Sequence, residues 1–201
     1  MGKGLITLRD YSRDKIEEIL ALARKMAHYQ RTGTDIAQGK ILAALFFEPS
    51  TRTRLSFETA MHRLGGKVIG FSSTEGTSVG KGETLADTVR TVAQYADLLV
   101  IRHPREGAAQ LAAEFSSLPV LNAGDGSGNH PTQTLLDLYT MIDHLKDLEG
   151  REVALVGDLR YGRTVHSLAP VLALFGVKLI LVSPREVRIN GEIREELDRA
   201  R

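Results

Sequence analysis

The sequence predicts an α/β fold, a parallel sheet with helices on both faces, and three observations predict it. Continuous apolar runs such as ILAALFF (41–47) and DLLVI (97–101) read as strands buried on both faces. Stretches with apolar residues three and four apart, as in Ile16, Ile19, Leu20 and Ala23, read as helices. The two kinds of segment alternate along the chain, which is the pattern of a parallel sheet with crossover helices.

Taken in order, strands are predicted at 41–47, 68–72, 97–102, 119–122, 152–157 and 178–183. Helices are predicted at 14–31, 51–64, 84–95, 105–115, 132–145, 165–175 and 192–201. The first four strands end in NAGDGSGNHP, crowded with Gly, Asn and Asp; a long helix and the punctuation KDLEGRE follow. This places a domain boundary near Glu149–Gly150, giving domains 1–149 and 150–201. The second holds two strands and two helices, and two strands do not cover themselves, so it is expected to be the first part of a larger domain.

Composition narrows the function classes. At 201 residues, 42% apolar and 25% charged, the chain has the make-up of an ordinary globular protein. A net charge of +1 supplies no field toward nucleic acid or membrane. Without cysteine there is no disulfide or thiolate metal site. No apolar stretch approaches the ~20 residues that span a bilayer. A cytoplasmic, soluble protein is expected. The histidines (28, 62, 103, 130, 144, 166) show no close pair on one helical face, so no metal is expected.

Three predicted strands run into helices across polar junctions. In EPSTRTR, Ser50 or Thr51 suits an N-cap, and Ser50, Thr51, Arg52, Thr53 and Arg54 crowd donors at a helix N-terminus. Such an end, with a positive dipole and fork-shaped arginines, fits phosphate or carboxylate. The plain alternative is a capped helix with solvated arginines. In VIRHPREG, Arg102 and His103 precede a proline at the carboxyl end of a strand. In GSGNHPTQTLLDL, His130 stands at a helix entrance and Gln133 in its first turn. Either histidine alone reads as a capping or packing residue. Together the junctions converge where ligands bind open α/β sheets, outside the carboxyl ends of strands.

Two loops complete the candidates. SSTEGTSVGKGETLADT (72–88) carries Lys81 on a Gly/Ser/Thr-rich stretch, either a plain surface loop or one that closes over an anion. VGDLRYGRTVHS (156–167) nearly matches a phosphate-loop pattern with arginine in place of lysine, but no acidic strand end follows to hold magnesium. Arg163, at its helix entrance, is placed for a carboxylate.

With these residues identified, the segments FFEPSTRTRLSFETAMHRLGG, SVGKGETLADT, IRHP, NAGDGSGNHPTQTLLDL and VGDLRYGRTVHS resemble, in order, those of the aspartate carbamoyltransferase catalytic chain. S-T-R-T-R and H-P-x-Q are shared with ornithine carbamoyltransferases, the alternative; GDGSGNHPTQ and YGRTVHS resemble the aspartate enzyme. The resemblance implies a carbamoyl phosphate-binding domain followed by the start of a Rossmann-like aspartate-binding domain. It implies carbamoyl transfer from carbamoyl phosphate to L-aspartate, in pyrimidine synthesis, without a cofactor. By the same resemblance Ser50, Thr51, Arg52 and Thr53 hold the phosphate, and Arg102 bridges phosphate and carbonyl oxygen. Thr53, Arg102 and His130 polarise that carbonyl; Gln133 takes the carbamoyl amide, and Arg163 an aspartate carboxylate. Ser78 and Lys81 reach a neighbouring subunit's site, which implies a homotrimer, to which regulatory chains can add. Glu48 pairs with the second domain on closure, through Arg163. The family's second Arg-x-Gln loop and His-Pro-Leu-Pro-type loop do not occur here, so the carbamoyl phosphate half is expected whole and the aspartate half partial. A truncated module that binds carbamoyl phosphate without turnover is the other reading.

Overall fold

A computed structural model describes residues 4–199. Seven strands and eight α-helices follow one another: β1 Gly4–Leu5, α1 Arg13–Met26, α2 Tyr29–Thr32, β2 Ile41–Phe46, α3 Thr51–Arg63, β3 Lys67–Phe71, α4 Leu85–Val92, β4 Leu98–His103, α5 Ala108–Phe115, β5 Val120–Asp125, α6 Pro131–Leu145, β6 Glu152–Val156, α7 Arg163–Leu174, β7 Lys178–Val182 and α8 Gly191–Arg199. They form two compact units, one of residues 4–6 and Ala21–Gly126, the other of Thr7–Leu20 and 127–199. This partition does not coincide with a boundary at Glu149–Gly150: α6 falls with the later elements, where it packs on α7.

The first unit is a five-stranded parallel sheet in the order β1-β5-β4-β2-β3. Alternate residues of each strand feed opposite faces. Ala43, Leu45, Leu99, Ile101 and Val120 pack with Val89 of α4 and Ala109 and Ala112 of α5. Leu42, Ala44, Phe46, Val100 and Ala123 pack on the other face with Met61 of α3. The fold class is therefore the one the sequence predicts, and β2 and β4 are buried on both faces as continuous apolar runs require.

The second unit holds the parallel pair β6-β7, with a core of Ala169, Ile193 and Leu197 against Leu155, Leu179 and Leu181. Here two-sided burial does not hold. Every second residue of both strands is exposed, including Val156, Ile180 and Val182, because helices cover one face only. The predicted helix 14–31 is two helices, interrupted at Ala27–His28, and the helix expected from 105 begins at Ala108. Of the predicted helix 192–201, the last two residues lie outside the described ones. Among the described residues no helix is long and apolar enough to cross a membrane.

Candidate active site

In the first unit the site is built at the carboxyl end of β2. The strand leaves the sheet at Phe46, and α3 begins at Thr51 after the N-cap Ser50, whose backbone is extended (φ −158°). The Ser50 hydroxyl makes no capping bond, so the side chain that ordinarily occupies the first N–H groups of a helix leaves them to another acceptor. The two arginines of S-T-R-T-R differ. Arg54 is tied to Glu58 one turn on, at 3.1 Å, whereas Arg52 is exposed and in no ion pair among the described residues.

Arg102 reaches this junction through the sheet. Parallel pairing sets it opposite Phe46, and its carbonyl accepts the Phe47 N–H at 2.8 Å. The residue is 8% exposed. Its Nη2 donates to Glu48 Oε1 at 2.8 Å and its Nη1 to the Ala123 carbonyl at 3.3 Å, while the buried Nε has no acceptor. A buried guanidinium with an unused donor is costly unless something completes it. Glu48 thus pairs with Arg102 inside the first unit.

His103, the next residue, turns to a structural task. Its Nδ1 accepts the Arg105 N–H at 3.0 Å and its ring packs on Phe47 at 4.9 Å. Burial, and then the charge of Arg105, push it below the ordinary histidine range. Ser78 precedes the 3₁₀ turn Val79–Lys81; Ser78 and Lys81 are both exposed, and the turn closes through the Glu83 N–H to the Ser78 carbonyl at 3.1 Å.

The second unit carries the other candidates. Pro131 opens α6, which makes His130 its N-cap. His130 Nδ1 accepts the Gln133 N–H at 3.4 Å, so the hydrogen of a neutral ring sits on Nε2. Gln133 Nε2 donates to Asp137 Oδ1 at 2.8 Å, one turn along the same face. Arg163 is the first residue of α7, after Gly162. A Cβ on Gly162 would lie 2.7 Å from the Asp158 carbonyl, which accounts for glycine there. The Asp158 carboxylate accepts the N–H groups of Arg160 (2.9 Å) and Tyr161 (3.0 Å). A phosphate-cradling loop needs such amides open, so the geometry disfavours the phosphate-loop reading of 157–164.

Comparison with known proteins decides the family. The family described as "Aspartate/ornithine carbamoyltransferase, carbamoyl-P binding domain" matches residues 3–143. The chain belongs to this family. It is 58% identical over 198 residues to the aspartate carbamoyltransferase catalytic subunit of Thermococcus kodakarensis, covering 98% of this chain and 64% of that protein. To the catalytic subunit of Methanothrix thermoacetophila it is 60% identical, covering 97% and 64%. The chain thus spans a little under two thirds of the length of these relatives. Among solved structures, the catalytic subunit of M. jannaschii aspartate transcarbamoylase superposes with a TM-score of 0.91 at 53% identity, covering 98% of this chain and 66% of that one. The Trypanosoma cruzi aspartate transcarbamoylase in complex with carbamoyl aspartate and phosphate gives 0.93 at 43% identity, covering 99% and 66%.

Within this carbamoyltransferase frame, the structure joins Ser50–Thr53 and Arg102 on one sheet edge, and His130, Gln133 and Arg163 on the entrances of two packed helices. Sequence reasoning missed the Glu48–Arg102 pair, whose partners are 54 positions apart. It also assigned no role to His166 and Ser167, the buried polar pair in the first turns of α7.

Proposed function

We propose that this chain carries the carbamoyl phosphate half of the site that transfers a carbamoyl group to L-aspartate, giving N-carbamoyl-L-aspartate and phosphate. One observation carries the reading: buried Arg102, with an unused Nε and a carboxylate on Nη2, stands beside the uncapped N-terminus of α3. An incoming phosphate supplies what both lack. It takes the N–H groups of Thr51–Thr53 and the Arg52 fork, and it displaces Glu48 from Arg102.

The chemistry is then positioning and charge stabilisation. The aspartate amine attacks the carbamoyl carbon; a C–N bond forms and the oxygen becomes an oxyanion. Arg102, the Thr53 hydroxyl and His130 Nε2–H donate to that oxygen. As the oxyanion collapses, the C–O bond to phosphate breaks, and the leaving phosphate keeps the electron pair under the cationic end of α3 and takes the proton that the attacking amine loses. Gln133 receives the carbamoyl amide, and Arg163 holds an aspartate carboxylate. Ser78 and Lys81, exposed on their turn, serve a neighbouring copy's site in a cytoplasmic homotrimer. The relatives' names favour aspartate over ornithine as the acceptor.

Titration calorimetry tests the assignment. Carbamoyl phosphate binds the wild-type chain, and Arg102→Leu weakens it by about 100-fold, the scale of a lost charge-assisted pair. Unchanged affinity in Arg102→Leu overturns the site. The chain's share of its relatives' length favours one second reading, a module that binds carbamoyl phosphate without turnover. Adding aspartate separates the two, since carbamoyl aspartate forms under the first reading alone.

A further inference from the structure

We infer that His166 and Ser167 are positioning residues that fix the entrance of α6, with His130, against the entrance of α7, with Arg163. The inference rests on the carbamoyl-transfer reading of those two residues.

His166 is 6% exposed, and both ring nitrogens face backbone carbonyls; a neutral ring donates to one of them and rests against the other, and a ring with a hydrogen on each nitrogen donates to both. Nδ1 lies 3.0 Å from the Ser127 carbonyl oxygen, three residues before His130, and Nε2 lies 3.0 Å from the Leu159 carbonyl oxygen, four before Arg163. The next side chain repeats the connection. Ser167 Oγ accepts the His130 N–H at 2.9 Å and donates to the Arg163 carbonyl at 3.0 Å. Two consecutive residues of one helix thus tie both entrances. Leu159 is itself anchored, its side chain buried and its N–H bonded to the Val187 carbonyl at 3.0 Å.

The backbone explains why side chains do this. Pro170 lies inside α7 and has no N–H, so the helix bond to the His166 carbonyl is not made. The first turn, which carries Arg163, is therefore less held by the helix ladder than the rest. His166 and Ser167 add the missing restraint, and a displacement of about 1 Å in such a site costs up to about 100-fold in rate.

The test uses the fact that asparagine and glutamine place one amide N–H near the positions of Nδ1 and Nε2 respectively. His166→Asn keeps the link to Ser127 and loses the one to Leu159; His166→Gln does the reverse. Residue-level hydrogen exchange on the ligand-free chain should show a crossed pattern. In H166N the Arg160 and Tyr161 amides exchange about tenfold faster while Gln133 and Thr134 keep their protection; in H166Q the two pairs change places. Ser167→Ala should speed Gln133 and Thr134 and leave the later turns of α7 alone. Uniform acceleration across the unit, or no change in either variant, overturns the inference. Calorimetry with carbamoyl phosphate then links position to ligand, with binding about tenfold weaker in H166Q than in H166N. Equal affinity in the two also overturns it. If the wild-type chain binds no carbamoyl phosphate while the crossed pattern stands, the reading of the site fails and the positioning holds.

Discussion

The junction after β2 and the junction after β6 follow one plan, a parallel strand running into a helix N-terminus with an arginine in its first turn. The strands behind them differ. β2 is buried from Leu42 to Phe46, with helices on both faces, whereas β6 and its neighbour β7 expose alternate residues, among them Val156 at 71%. The loops differ in the same direction. After β2 the amides at the start of α3 are left to an outside acceptor, while after β6 the amides of Arg160 and Tyr161 are consumed by Asp158. The fully covered strand presents open helix amides, the anion grip of the proposed site, without help from its own loop; the half-covered one spends side-chain bonds on holding the loop itself.

The largest expected effect tests the cover. Phe46→Ala removes a ring that is fully buried and should cost about 3–5 kcal/mol. Ile180→Ala, at a position 46% exposed, should cost about 0.5 kcal/mol. Urea unfolding, with hydrogen exchange followed in each unit, measures both. A cost at Ile180 comparable to that at Phe46 would mean the open face of β6-β7 is covered in solution, and the contrast between the strands would go.

That contrast was only half legible in the sequence. ILAALF and the runs VALV and LILV are equally apolar, so all read as strands buried on both faces. Periodicity reports what a strand is able to bury, and not what is there to bury it. The fold class followed from alternation, since each crossover helix carries its own period. β1 escaped notice because two residues carry no period at all, and its existence depends on pairing with Val120 and Leu121. The late start of α5 depends on Gly107, whose φ of 78° breaks the helix and whose N–H is taken by Asp125, 18 positions away. The same limit applies at the site. Residue types and helix-entrance signals single out Ser50–Thr53, Arg102, His130 and Arg163 as candidates. The pairing of Glu48 with Arg102 and the two carbonyls at His166 are set by tertiary contacts that no local pattern encodes.

A middle-sized effect separates the two arginine junctions. In the proposed site Glu48 occupies Arg102 where an incoming phosphate would bind, so Glu48→Gln, which keeps the shape and removes the charge, should act in opposite directions on stability and binding. Stability falls by about 1.5–3 kcal/mol, the scale of a hydrogen bond to a charged group. Affinity for carbamoyl phosphate rises by about tenfold, because the competing anion is gone. Urea midpoints and calorimetry on one preparation measure both. If affinity falls as well, Glu48 assists the ligand and does not compete with it.

The smallest effect comes from His103, which shares the β4 terminus with Arg102 and is spent on structure. Its Nδ1 accepts the Arg105 N–H, its ring lies on Phe47, and burial followed by the Arg105 charge lowers its proton affinity in the folded state. A group whose folded value lies below its unfolded one binds more protons when unfolded, so stability increases with pH across the interval between the two. The contribution is complete above the unfolded histidine value of about 6.5 and is lost as pH falls through the lower folded value. The ring is only half-buried, so solvent screening keeps the effect small. His103→Asn keeps an acceptor for the Arg105 N–H and removes the titration. Urea midpoints of this variant should fall less between pH 7.5 and pH 5 (about one unit above and about one and a half below 6.5) than those of the wild type. Parallel profiles for the two would show that His103 takes up its proton without disturbing the β4 junction.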